Sequence, residues 1–446
     1  MRTLKKTLFL ILLVYSVTHF GYSILRYNVF QGLSSGDFFR VYSEALEWKG
    51  SQQQSLQGAN IHPPFYFWIL LTLEPLFGSV QRMAFFFYLL QFPLFVVAWL
   101  LLVKAVYNDQ AAPWTAYGLA AALILNFQPF LETFAQHKVE GIEFFLVCLA
   151  LHAFRKKRDF LCGALTLVAA NLKYLPGFLL FYFLIKREWR VVAGAVAAGG
   201  ALFVFLCMVF GVRPLVAASI QHPVDLLLAH KTEGNRAEAS VEMQTLSGTV
   251  NRWFARPEPG YTFFRYIKTE NYMKVPHPSV AFGVAMALKL ALLGLWISVI
   301  RKRWSVKLRG ERWLLTLLEI SLSLIMIFVV SQASRVHYAI LLLPSFVIMG
   351  LLLVRHRNAF GLTVKLLFGC AYALTAMVIP GGLLNKLPPH PVWEQEYSNL
   401  YLWASLPFYG YLLLGACILL YRKGVHSLAL PQRLVRTVEK AGWRMV

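Results

Sequence analysis

The side chains that could do chemistry in this chain are few and scattered. Asp37 lies in "SSGDFFRVYSEALEWKG" (34–50), beside Glu44, Glu47 and the aromatics Phe38, Phe39, Tyr42 and Trp48. A carboxylate close to a substrate hydroxyl can act as a general base. The plainer alternative is a helix N-cap ahead of "FFRVYSEAL". His62 opens "HPPF", as a donor to a phosphate or sugar or as part of a stiff turn entering a helix. Lys173 stands in "NLKYLPG" within an apolar run. A cation there is costly unless it snorkels, pairs or faces a wet cavity; beside a phosphate it is a compact point charge. Arg252 ends the polar stretch "MQTLSGTVNR", and its planar fork suits phosphate; a surface helix is the bland alternative. Arg335 and His337 begin the apolar run "SRVHYAILLLP", where interfacial anchoring is the ordinary role. One carboxylate with several cations and imidazoles suits an anionic substrate with a lipid tail and a hydroxyl acceptor. No set of residues has metal-ligand spacing, so neither metal nor cofactor is expected.

These side chains must be positioned by helices in a membrane. Of 446 residues, 58% are hydrophobic and 14% charged, against roughly 25% charged in soluble domains. Many apolar runs approach the ~20 residues that cross a bilayer, and helices satisfy their own backbone there. The expected class is therefore an all-α polytopic membrane protein, one domain over residues 1–446. The formal charge of +22 does not indicate nucleic acid, because the basic residues sit in short clusters between apolar runs, as cytoplasmic loops do. Cys148, Cys162, Cys207, Cys370 and Cys417 all fall in apolar segments and read as small buried hydrophobes. The first segment has a basic start and a long apolar core without a small-x-small cleavage site, and reads as an uncleaved signal anchor.

Parity sets the topology. The basic clusters are Arg2/Lys5/Lys6, Arg155–Arg158, Lys186–Arg190, Arg301–Arg312, Arg355–Arg357 and the tail from Arg422. If all face the cytoplasm, an even number of spans separates neighbours. The short "PPFYFWILLTLEPLFG" (63–78) then becomes an interfacial or re-entrant segment. Spans follow near 7–26, 82–103, 114–131 and 141–154. Two short spans meet at a turn where Pro176 ends the first, and six more complete about twelve. Residues 27–81 form a first outer loop, 212–278 a long outer loop and 422–446 a basic cytoplasmic tail. Asp37, His62, Gln136, His137, Lys138, Lys173, Arg335 and His337 all come out opposite the basic clusters.

In this order, the segments resemble the GT-C fold integral membrane glycosyltransferases, family 87, the polyprenol-phosphate-mannose-dependent α-mannosyltransferase type. "GDFFRVYSEA" is similar to an Asp-Phe-x-x-Tyr-x-x-Ala pattern, and "HPPFYFWILLTLEPLFG" to a Tyr-Pro-Pro segment with His62 for Tyr. "QHKVEG" lies where the family has Gly-Gln-x-Asn, with Gln136 retained and Lys138 departing. "GALTLVAANLKYLPG" is similar to the Ala-x-x-Lys-x-x-Pro helix pair. "MQTLSGTVNR" resembles Asn-Gln-Ser-Leu-x-Gly ending in Arg, with Met243 and Thr245 substituted, and "HYAILLLP" resembles a His-bearing segment before a late span. The resemblance covers roughly 7–350. It implies inverting transfer of a sugar, mannose or another hexose, from a polyprenyl-phosphate carrier to a lipid or glycan hydroxyl. The reaction is placed on the outer face of the cytoplasmic (inner) membrane. Asp37 would be the base, and His62, Gln136, His137, Lys173, Gln244, Arg252, Arg335 and His337 would bind substrate. A lipid-linked sugar flippase would instead show inverted repeats and mid-membrane charges. A polysaccharide ligase or polymerase would need no Asp in the first outer loop.

Overall fold

The computed structural model describes residues 2–25, 37–50, 62–107, 110–135, 138–216, 244–254, 278–302, 309–331, 336–356, 360–376 and 405–422. Among them there is no strand, and the structure is 90% helical. In chain order the helices are α1 (Arg2–Leu25), α2 (Asp37–Gly50), α3 (Pro64–Phe77), α4 (Val80–Tyr107), α5 (Trp114–Leu125), α6 (Gln128–Ala135), α7 (Glu140–Arg155) and α8 (Asp159–Leu172). A 3₁₀ turn (Leu175–Gly177) leads into α9 (Phe178–Ile185), α10 (Trp189–Phe210), α11 (Val212–Val216), α12 (Leu246–Phe254), α13 (Pro278–Arg301) and α14 (Arg309–Val330). A second 3₁₀ segment (Val336–Leu342) runs directly into α15 (Leu343–Arg355), followed by α16 (Leu362–Ala376) and α17 (Leu406–Arg422).

Five stretches are long and apolar enough to cross a membrane: 80–107, 189–210, 282–301, 312–330 and 337–355. The last two are almost wholly enclosed and form the core of the bundle. The outer helices expose Leu10, Phe85, Val196, Met208 and Leu290. Water would penalise so much bare apolar surface; lipid does not. The chain is thus a multi-pass membrane protein. This also corrects one expectation about cysteines. Cys148, Cys162 and Cys417 are buried, but Cys207 is only partly covered and Cys370 is exposed, because their helix faces turn outward, toward lipid, which accepts a thiol as readily as a core does.

Two breaks refine the spans read from sequence. The expected 114–131 span is interrupted at Asn126–Phe127. Pro129 has no N–H for the carbonyl four residues back, and Asn126 turns its amide Nδ2 onto Ala122 O at 2.8 Å and onto Ser16 Oγ at 2.6 Å. Ser16 Oγ in turn donates to Leu12 O at 2.7 Å. The second break falls at Lys173, whose backbone is extended (φ −158°, ψ 137°), rather than at Pro176. Pro176 is the second residue of the following 3₁₀ turn, where its fixed φ and missing N–H carry no penalty.

Helices α8 and α10 approach at backbone distance. A Cβ on Gly163 would overlap the carbonyl of Val191, and one on Gly194 the carbonyl of Phe160. Small residues that let membrane helices touch are a recurrent source of packing energy in lipid. Separately, α2 and α3 form a layer across one end of the bundle. Phe38, Val41, Tyr42 and Ala45 of α2 pack with Tyr66, Phe67 and Leu70 of α3, Met83, Ala84 and Phe87 at the start of α4, and Val139 and Leu172. Fourteen residues of α3 extend only ~21 Å at 1.5 Å per residue, short of the ~30 Å hydrocarbon core.

The opposite end is clamped by charge. The last-turn carbonyls of α4, which have no partner within the helix, accept from three other helices: Lys104 O from Arg155 Nη1, Ala105 O from Trp313 Nε1 and Val106 O from Arg355 Nη1. Nearby, Glu319 of α14 is almost fully buried. Its Oε1 accepts from Arg422 Nη2 at 2.8 Å, and its Oε2 lies 2.6 Å from Lys186 Nζ and accepts from Tyr182 Oη at 3.2 Å. Lys186 also donates to Ile300 O at 2.8 Å. One carboxylate thereby ties together α9, α14 and α17, and Lys186 adds α13.

Candidate active site

The other end of the bundle carries the ionisable residues singled out above. The turn at 138–139 delivers Glu140 as the first residue of α7, and the break after α8 delivers Lys173. The 3₁₀ segment before α15 delivers His337. All three are buried. Lys173 Nζ lies 2.5 Å from Glu140 Oε1, and His337 Nε2 lies 3.4 Å from the same oxygen. The Lys173 ammonium also sits 3.7 Å from the centroid of the Tyr338 ring, a cation–π contact that is strong when desolvated. Lys138 is buried beside them.

This arrangement removes the plain readings of two residues. Lys173 does not snorkel; it is 3% exposed and held by a carboxylate. Nor is His337 an interfacial anchor, being 5% exposed. The sequence reading missed Glu140 and Glu143. Their signal was "EGIE", two acids three residues apart at the head of an apolar run, which puts both on one helical face. Glu143 is fully buried, and neither carboxylate oxygen has a hydrogen-bond partner among the described residues.

The α2–α3 layer lies over this end, because Val139 and Leu172, the neighbours of the ion group, belong to its apolar cluster. Asp37 is the first residue of α2; its side chain lies outside the described residues. His62 is buried at the entry to α3, its ring 5.5 Å from that of Tyr66. Within the layer, burial and the neighbouring Glu74 carboxylate push the Tyr42 phenol up to about 12, so it stays a neutral donor that fastens α2 to α3.

Residues 244–250 are buried throughout, so the surface-helix alternative fails for "QTLSGTV". Thr245 Oγ1 accepts from Gly248 N at 3.0 Å, which is an N-cap for α12, and Gln244 is enclosed just ahead of it. Arg252 lies on α12 with its side chain outside the described residues, as are Gln136, His137 and Arg335 altogether. Among the described residues no group of three or more His, Cys, Asp or Glu is placed to hold a metal ion.

Fold and site together define a multi-pass helical membrane protein with its ionisable groups gathered under an interfacial layer at one end. The chain can be placed further: residues 60–260 match the model of glycosyltransferase family 87, a match that supports a membrane glycosyltransferase of the GT-C type. The matched segment holds His62, Gln136, His137, Lys173, Gln244 and Arg252. Asp37, Arg335 and His337 fall outside it, so it is narrower than the 7–350 resemblance read from motifs. Comparison with curated proteins and with solved structures returns no match.

Proposed function

We propose that this glycosyltransferase moves a sugar, mannose or another hexose, from a polyprenyl-phosphate carrier to a hydroxyl of a lipid or glycan acceptor. The reaction takes place at the outer face of the cytoplasmic membrane and inverts the anomeric centre. The observation that supports this reading is the meeting of Lys173 and His337 on one carboxylate oxygen, far apart in sequence, at the bundle end that α2 covers. In this chemistry the acceptor oxygen attacks the anomeric carbon while Asp37 takes its proton. The bond from that carbon to the phosphate oxygen breaks, and the lipid phosphate leaves with the electron pair. Lys173 and His337, with Arg252 and Arg335, stabilise the charge that develops there. His62, Gln136, His137 and Gln244 contact the sugar or the phosphate. A carboxylate base and fixed cations suffice, so no metal is required. The aromatic α3 docks the prenyl chain or a lipid acceptor.

The test uses purified protein in lipid, labelled polyprenyl-phosphate sugars and a membrane extract as the acceptor source. A labelled product identifies sugar and acceptor together. Asp37→Asn keeps the capping ability of the side chain and removes the base. Turnover should fall ~10²–10⁴-fold with thermal stability unchanged. Near-normal turnover in this variant rules out Asp37 as the base.

A further inference from the structure

Three segments distant in sequence meet at one oxygen atom. Glu140 Oε1 is 2.5 Å from Lys173 Nζ and 3.4 Å from His337 Nε2, and the side chains involved are 2–6% exposed. Nothing in the reaction described above uses this carboxylate. Its position is nonetheless where a phosphate oxygen would have to stand to touch both groups. We propose that Glu140 is a positioning residue that stands in for the donor phosphate: it holds Lys173 and His337 in place while the site is empty, and yields them when the donor binds. The proposal rests on reading Lys173 and His337 as phosphate ligands.

Two physical arguments carry it. A buried ammonium without a counter-charge is strongly destabilising, so an enzyme that keeps Lys173 ready for an anion needs a substitute anion in its absence. Glu140 is that substitute, and the Tyr338 ring on the ammonium fixes the direction of approach. The second argument is competition. Glu140 already neutralises the Lys173 ammonium it touches, so an arriving phosphate has to compete with an anion that is part of the protein. An ammonium has three N–H donors, so a phosphate can first share Lys173 with Glu140 and then displace it. The carboxylate therefore preorganises Lys173 and His337 and, by its own charge, weakens donor binding. Its effect on KM is opposite in sign to that of an ordinary binding residue.

The experiment measures KM and kcat for polyprenyl-phosphate mannose, or for whichever polyprenyl-phosphate hexose the product assay identifies. It compares wild type, Glu140→Gln and Lys173→Ala at matched amounts of folded protein. Glu140→Gln keeps the shape and removes the opposing charge. Donor KM should fall about tenfold or more, as a unit charge within several Å of the phosphate implies at an effective dielectric of about 20. Its kcat should fall several-fold because Lys173 and His337 are held less firmly. A purely structural Glu140 would change the yield of folded protein and move neither constant. Should Glu140→Gln fail to assemble, Glu140→Asp keeps the charge but withdraws it by one methylene, and KM should fall by a smaller factor. Lys173→Ala should raise donor KM. If it does, and KM is unchanged or higher in the Glu140 variant that folds, the stand-in role is overturned and the phosphate site survives. An unchanged KM in Lys173→Ala overturns the phosphate site, and the stand-in with it.

Discussion

Among the described residues two buried carboxylates bind cations, one toward each end of the bundle, and they are built differently. Glu319 is saturated: both oxygens are engaged, by Arg422, Lys186 and Tyr182, and its ligands close the bundle by joining α9, α14 and α17. Glu140 presents one oxygen to two groups, and three residues along the same helix Glu143 is buried with no hydrogen bond among the described residues. A fully paired buried ion group can rigidify a structure. A group left incompletely paired is a cost that the rest of the fold has to carry, and such costs collect at functional sites. The contrast separates a clamp from a workplace, although a list of charged residues would score the two alike.

The comparison can be broken at three points. The largest effect is expected from Glu319→Ala, which leaves the buried Arg422 and the partly buried Lys186 with no carboxylate between them. Removal of one partner from a buried ion pair costs about 3–5 kcal/mol. Thermal unfolding in detergent micelles should show that loss, while donor KM of the folded fraction stays at the wild-type value. A loss below about 1 kcal/mol, or a change in KM, would make the clamp something else. Glu143→Met comes next and has the opposite sign. A buried polar group without a partner costs about 1–3 kcal/mol, and an apolar side chain of similar length removes that cost, so the variant should unfold at a higher temperature than wild type by about 1 kcal/mol of stability. If Glu143→Met destabilises as Glu319→Ala does, the two ends are not different in kind. The smallest effect belongs to Trp313→Phe. It deletes one hydrogen bond to the end of α4 and should cost about 0.5–1.5 kcal/mol without altering turnover.

Helix positions were readable because apolar run length and proline placement act locally: α1, α4, α7 and α10 begin and end within a few residues of the apolar stretches that announce them. The exceptions have local causes that hydropathy does not register. Asn126 has the right neighbours for a continuing span, yet its amide and Pro129 together stop the helix. Sidedness was informative for another reason. Lys173 and His337 were placed on one face by parity alone, and they do meet. The atom that joins them was not found, because Glu140 reads as an ordinary acid in a connector until the turn at 138–139 folds it inward. Glu319 carried a louder signal, a lone acid in "TLLEISLSLIMIF". An ionisable group so placed demands a partner, but its three ligands come from segments that no spacing rule connects. The role of Asp37 rests on motif and on the start of α2, since its side chain is outside the described residues.

The link between Ser16 and Asn126 bears on how the chain is assembled in the membrane. Each of these side chains also bonds its own helix: Ser16 to Leu12, Asn126 to Ala122. The N-terminal helix therefore enters lipid with its hydroxyl already satisfied, and can wait there alone while the ribosome makes the next hundred residues. When α5 arrives, the Asn126 amide adds the bond to Ser16 without either helix first having to give up a partner. A polar latch of this kind makes docking order-tolerant: the first helix is neither trapped by an early wrong neighbour nor penalised for arriving first.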